Sequence, residues 1–191
     1  MNCNIPLKTP LVSACMVVLL ATGSVAEALD SASTEPPSMR LASDDRAFIK
    51  QAAAAGLYEV EASKLAAQRA QSPQVRKFAQ MLVQQHTVAN AQLKLLAEDK
   101  SYRFPVEMPS GKRSTLASLS QQSSGTAFDA AYVQQVGIKD HKADITHFET
   151  AARSAKDPDL KAWAGKTLPS LKQHLAAAEA LETSVSAARK P

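Results

Sequence analysis

The chain has 191 residues, of which 45% are apolar and 5% aromatic, and a formal charge of +4. That length holds one domain of ordinary size, or at most one domain plus a tail, and the apolar share supports a core and excludes wholesale disorder. Its 35 alanines, against 6 glycines and 10 prolines, favour an all-α protein, while scarce aromatics and a small, mixed charge exclude a base-stacking or polyanion-binding surface, so no nucleic-acid partner is expected.

Residues 1–26 carry the marks of a secretory signal peptide. Lys8 is the only charge before Glu27, Leu11 to Ala21 is an apolar run, and Ser24-Val25-Ala26 sets small residues where a signal peptidase reads. The run is shorter than the roughly 20 apolar residues of a membrane span. Cleavage is expected after Ala26, or after Ala28; an uncleaved anchor and a lipidated Cys15 within Val12-Ser13-Ala14-Cys15 are the alternatives. The expected destination is the periplasm, with outer-membrane association left open. Cys3 and Cys15 both lie in this segment, so the mature chain would have no disulfide, thiolate nucleophile or cysteine metal ligand. Residues 27–43 are Ser/Pro-rich and aperiodic, and read as a flexible lead-in.

The bundle is expected over 44–184. Ser43, Asp44 and Asp45 crowd the start of a first helix, which carries Phe48, Ala52, Ala55, Glu59, Ala62 and Ala66 on one face and ends near Gln71. Ser72-Pro73 reads as an N-cap with proline in the first turn. The second helix presents Val75, Phe78, Leu82, His86, Ala89, Leu93 and Leu96, and runs to about Asp99. Residues 100–126, with Pro105, Pro109, Gly111 and Gly125, form a long crossover holding one short helix around Ser114 to Leu119.

Thr126 and Asp129 resemble a capping box. The third helix, about Phe128 to Ala155, turns Val133, Gly137, His141, Asp144, Phe148 and Ala152 inward. Asp157-Pro158 repeats the cap-plus-proline signal. The fourth helix presents Leu160, Ala164, Leu171, His174, Ala178 and Leu181, with Pro169 expected to kink or break it; residues 185–191 are expected to fray. The stretch from Ser72 to Ala79 lines up with that from Asp157 to Ala164, so the two hairpins echo each other. Short linker, long crossover, short linker is the connectivity of a ferritin-like four-helix bundle, with the crossover between helices 2 and 3.

Several spaced motifs sharpen this expectation: Asp45-x-x-Phe48, Glu59-Val60-Glu61, Lys64-Leu65-Ala66, Phe78-Ala79-x-x-Leu82-Val83-x-x-His86, Phe128-Asp129-x-x-Tyr132, His141, and Leu168-Pro169-x-x-x-x-His174-Leu175. Over roughly residues 44–184 the chain resembles the exported bacterial family named domain of unknown function 4142, often labelled an outer-membrane protein. The resemblance implies a ferritin-like four-helix bundle and no settled activity.

All four histidines lie in the expected bundle. On a helical wheel His86, His141 and His174 fall within the apolar stripes of their helices, as does Glu59; His147 lies on a flank and Glu61 points away. Glu59 is 13 residues before Ser72 and His86 is 14 after it, so they sit nearly level. In the second hairpin His141 and His174 differ in height by about 3 Å, with Asp144 near the same layer.

One reading is a site for a single transition-metal ion (iron, zinc, copper or manganese) held by Glu59, His86, His141 and His174, with Asp144 as a further ligand or support. Di-iron bundles carry Glu-x-x-His on two helices, whereas Val83 and Leu171 stand three before His86 and His174, so a di-iron oxidase is not expected. The other reading is a metal-free buried polar network that fixes helix register.

No Ser sits in a GxSxG turn and no Gly-rich phosphate loop is present, so the sequence leans away from an enzyme. Two functions compete: a periplasmic metal-binding or redox protein, and a non-enzymatic envelope or stress-related protein that binds a partner or lipid.

Overall fold

Leucine and alanine at three- and four-residue spacing give this chain long helices, and the computed structural model describes residues 41–187 as six α-helices and one π segment. The signal peptide expected over 1–26, the lead-in up to residue 40 and residues 188–191 lie outside the described residues. The helices are α1 (Ser43–Arg69), α2 (Pro73–Asp99), α3 (Ser110–Ser120), α4 (Thr126–Tyr132), the π segment (Val133–Asp140), α5 (His141–Ser154) and α6 (Pro158–Ala187). With no break between them, α4, the π segment and α5 form the expected third long helix. The architecture is an all-α four-helix bundle of ferritin-like connectivity, with α3 inside the crossover.

Two cap-plus-proline signals hold as read. Ser72 Oγ accepts from Val75 N at 3.4 Å with Pro73 in the first turn of α2, and Asp157 Oδ1 accepts from Leu160 N at 2.9 Å ahead of Pro158. The other two helix starts differ. Asp45 does not cap its own helix: its two carboxylate oxygens accept from the backbone N–H groups of Lys156 and Asp157, at 3.0 and 2.8 Å. The capping box at Thr126 does not form either. Gly125, at φ +129°, precedes α4, and Asp129 accepts instead from Gln71 N (2.9 Å) and Ser72 N (2.7 Å). Each carboxylate thus closes the turn of the opposite hairpin, and the pair fixes the two hairpins against each other at opposite ends of the bundle.

Pro169 sits within α6 and does not break it. The bond it forfeits would go to the Gly165 carbonyl, and both residues face solvent, where water satisfies the freed group. On the inner side Leu160, Ala164, Leu171, His174 and Ala178 keep α6 packed. Both predicted tails are shorter than expected: Leu41 is buried in the core, and Val185 is buried in a helix that runs to Ala187.

The interior is two apolar clusters. One gathers Tyr58, Phe78, Leu82, Phe128, Tyr132 and Val136; the other gathers Ile49, Leu93, Phe148, Leu160 and Leu171. On α2, α5 and α6 the inward polar residues lie between them in sequence, and on α1 Glu59 directly follows Tyr58 near the junction. Leu82 and Leu160 are fully buried, and truncating either to alanine would cost about 2–5 kcal/mol.

Candidate metal centre

Each long helix brings one or two polar residues to the middle of the core: Glu59 from α1, His86 from α2, His141 and Asp144 from α5, and His174 from α6. All five are buried, His141 completely. Pairwise, the three imidazole rings have centroids 5.2 to 5.4 Å apart. One ring nitrogen from each lies within 4.8 Å of the other two.

The π segment explains how α5 contributes two residues. Glu59 comes 14 residues after Asp45, while Asp144 comes 15 after its counterpart Asp129. One extra residue would turn the helix by about 100°. A π segment, whose hydrogen bonds span five residues rather than four, takes up that residue and returns Asp144 inward, opposite Glu59. The segment ends just before His141, whose Nδ1 lies 2.8 Å from the Val136 carbonyl oxygen within it.

The hydrogen-bond partners constrain the tautomers. His141 Nδ1–H donates to Val136 O, and His86 Nδ1 lies 3.2 Å from Glu59 Oε2, which favours the proton on Nδ1. His174 has two forms: Nε2–H donating to Gln85 Oε1 at 2.7 Å, or Nδ1–H donating to His141 Nε2 at 3.2 Å with the Gln85 amide turned. In the first form the lone pairs left over are on His86 Nε2, His141 Nε2 and His174 Nδ1. The last two face each other at 3.2 Å, and His86 Nε2 is buried with no hydrogen-bond partner. Glu59 Oε1 also lies 3.4 Å from His141 Nδ1, without hydrogen-bond geometry.

Burial is the main electrostatic influence here. It holds His86 well below the usual imidazole range, reinforced by His141 and His174. It also lowers His141, against the pull of the Val136 carbonyl, and brings His174 down to about 4. The same burial pushes Glu59 well above the carboxylate range, with Asp144 and Asp140 adding to it and Lys112 opposing. Asp144 is pushed up to about 6. The imidazoles are therefore neutral at neutral pH, the form that binds metal.

Sequence reasoning found the five central residues and missed their supports. Lys112, from α3 in the crossover, pairs with Asp140 (2.9 Å) and stands 4.5 Å from the centre of the Tyr58 ring. Ser63 and Tyr132 join their hydroxyls at 2.8 Å between α1 and α4. No periodicity marks Lys112 or Gln85; Asp45 and Asp129 share the one available signal, an aspartate three residues before an inward aromatic. His147 stands apart on the flank, its Nε2 3.0 Å from Gln51 Nε2.

Three imidazoles donating outward and converging inward fit a metal ion. Bonds of about 2.0–2.1 Å at tetrahedral angles would set ligand nitrogens about 3.3 Å apart, close to the 3.2 Å between His141 Nε2 and His174 Nδ1. Ligating histidines also give their second N–H to a carboxylate or carbonyl, as here. Glu59 and Asp144 are not among the three converging nitrogen donors: Glu59 stands behind His86 and His141, and Asp144 faces Glu59.

Residues 30–181 match the model of a family described as a domain of unknown function, DUF4142. No curated protein matches the chain, and no solved structure does.

Proposed function

The chain belongs to the DUF4142 family, and we propose that it is an exported protein that binds one divalent transition-metal ion between α2, α5 and α6. His86 Nε2, His141 Nε2 and His174 Nδ1 are the ligands. Glu59 orients His86 and compensates the charge of the ion, and Asp144 supports Glu59. Neutral imidazoles suit zinc, copper or iron, with manganese less favoured.

One observation carries this reading: His86 Nε2 is buried and unpartnered. A metal-free network can satisfy the other rings, because turning the Gln85 amide lets His174 Nδ1–H donate to His141 Nε2. It leaves His86 Nε2 an orphan acceptor in the core, which costs about 1–3 kcal/mol.

Export is supported by the N-terminal pattern of residues 1–26, and cleavage there gives a mature chain starting at Glu27 and free of cysteine. Among the described residues no helix is long and apolar enough to cross a membrane.

The test is metal analysis of the purified protein after loading with iron, copper, manganese or zinc. One ion per chain is expected, lost in the His86→Ala, His174→Ala double variant. No stoichiometric metal under any loading removes the reading and leaves the metal-free network in an envelope protein that binds a partner or lipid.

A further inference from the structure

A cleft of about 360 Å³ opens between α2 and α6 and runs over α1 and α5. Small residues make the room: Ala52, Ala55 and Gly56 on α1 and Ala89 on α2. His86 and His174 line it at one end. On α6, Trp163 and Lys166 line it about 12–16 Å from His174, at 1.5 Å per residue. Phe148 and Leu171 form apolar wall between.

The far end holds one cation and one unpartnered N–H donor. Trp163 Nε1–H is buried and has no hydrogen-bond partner, although Tyr and Trp polar atoms usually find one when buried. The only cationic side chain lining the cleft is Lys166, which is exposed and forms no ion pair among the described residues. The near end is unsuited to an anion unless a metal is present, because Glu59 and Asp144 line it.

We propose that this cleft binds a free amphipathic monocarboxylate, such as a medium-chain fatty acid. Its carboxylate accepts from Trp163 Nε1–H and pairs with the Lys166 ammonium. Its apolar body lies over Ala52, Ala55, Phe148 and Leu171 and points toward the imidazoles. This binding does not depend on the metal reading.

Trp163 is the sole tryptophan of the chain, so its fluorescence reports this cleft alone. Octanoate is titrated below its micelle concentration, against octylamine, which has the same tail and the opposite charge. Both titrations are run with EDTA and with zinc. A saturable change with octanoate and none with octylamine is expected under both conditions. Lys166→Glu, a surface change that does not threaten folding, should weaken octanoate about fivefold or more. Ala89→Leu, which fills the cleft from its half-exposed rim, should abolish the response.

The absence of a saturable response to octanoate overturns the proposal. So does an equal response to octylamine, or binding unchanged in both variants. A response seen only with zinc places the carboxylate on the metal and also overturns it. Failure to bind metal, with the octanoate response intact in EDTA, sinks the metal reading and leaves this one standing.

Discussion

Asp45 and Asp129 are reciprocal clamps: each stands in the first turn of its own helix and accepts two backbone N–H groups from the turn of the other hairpin. Both are 2% exposed. The echo between the hairpins in sequence therefore has a physical counterpart at the two ends of the bundle, and the polar layer lies at matching distances from both clamps.

Removing a clamp strands two donors in a turn. Asp45→Ala and Asp129→Ala should each lower stability by about 2–4 kcal/mol, read as a shift in urea midpoint, because hydrogen bonds to a carboxylate are the stronger kind. Metal stoichiometry at a temperature where the variants remain folded should stay at the wild-type value. A midpoint unchanged in both variants would contradict the clamp.

Gly137, in the π segment, faces α6 so closely that a Cβ there would come 2.7 Å from Ala178 Cβ and 3.4 Å from the Phe78 ring. Alanine is the better helix former, yet Gly137→Ala should destabilise by about 1–3 kcal/mol through overpacking. Thermal denaturation decides: a stabilised variant would show that propensity outweighs packing at this contact.

Glu59 acts through the imidazoles it faces. Glu59→Gln keeps a hydrogen-bond acceptor but loses the charge, and should retain one metal ion per chain with affinity about 10–100-fold weaker. Competition with a chelator of known affinity measures this. Unchanged affinity would leave Glu59 without a part in binding.

Acid should destabilise the metal-free protein through its imidazoles. His174 titrates at about 4 in the fold against an ordinary 6.5, so the unfolded chain binds its proton first; the stability it contributes is full above 6.5 and lost as pH falls toward 4. His86 and His141 are lowered too and act in the same sense. Asp144 acts oppositely: raised from 3.8 to about 6, it contributes most at low pH, and that contribution is lost as pH rises through 6. In EDTA, the fall in urea midpoint between pH 6.5 and 4.5 should be steeper in Asp144→Asn and shallower in His174→Gln than in the wild type. The reverse order would refute the assignment of these shifts.

Much of the fold was legible because the bundle obeys local rules. The stripes of α1, α2, α5 and α6 repeat every three or four residues, and Ser72-Pro73 and Asp157-Pro158 state where two helices begin. The level of Glu59 with His86 followed from counting out from one turn. The relative height of the hairpins was not readable, because the crossover carries no periodicity that fixes its span. Asp45 and Asp129 set that height, and helix-start residues acting on a distant turn look in sequence like ordinary caps. The π segment was hidden for a similar reason: one added residue in a helix leaves no mark in composition. Lys112 reaches the polar layer from the crossover, where no stripe points to it.

The tautomers of the three imidazoles test the central claim most directly, through ¹⁵N–¹H correlation of the histidine side chains in EDTA and after one equivalent of zinc. The zinc-loaded protein should show His86 and His141 protonated on Nδ1 and His174 protonated on Nε2. Zinc should shift His86 Nε2, His141 Nε2 and His174 Nδ1 together. A His174 protonated on Nδ1, with all three rings unmoved by zinc, would contradict a metal centre and leave a closed polar network in its place.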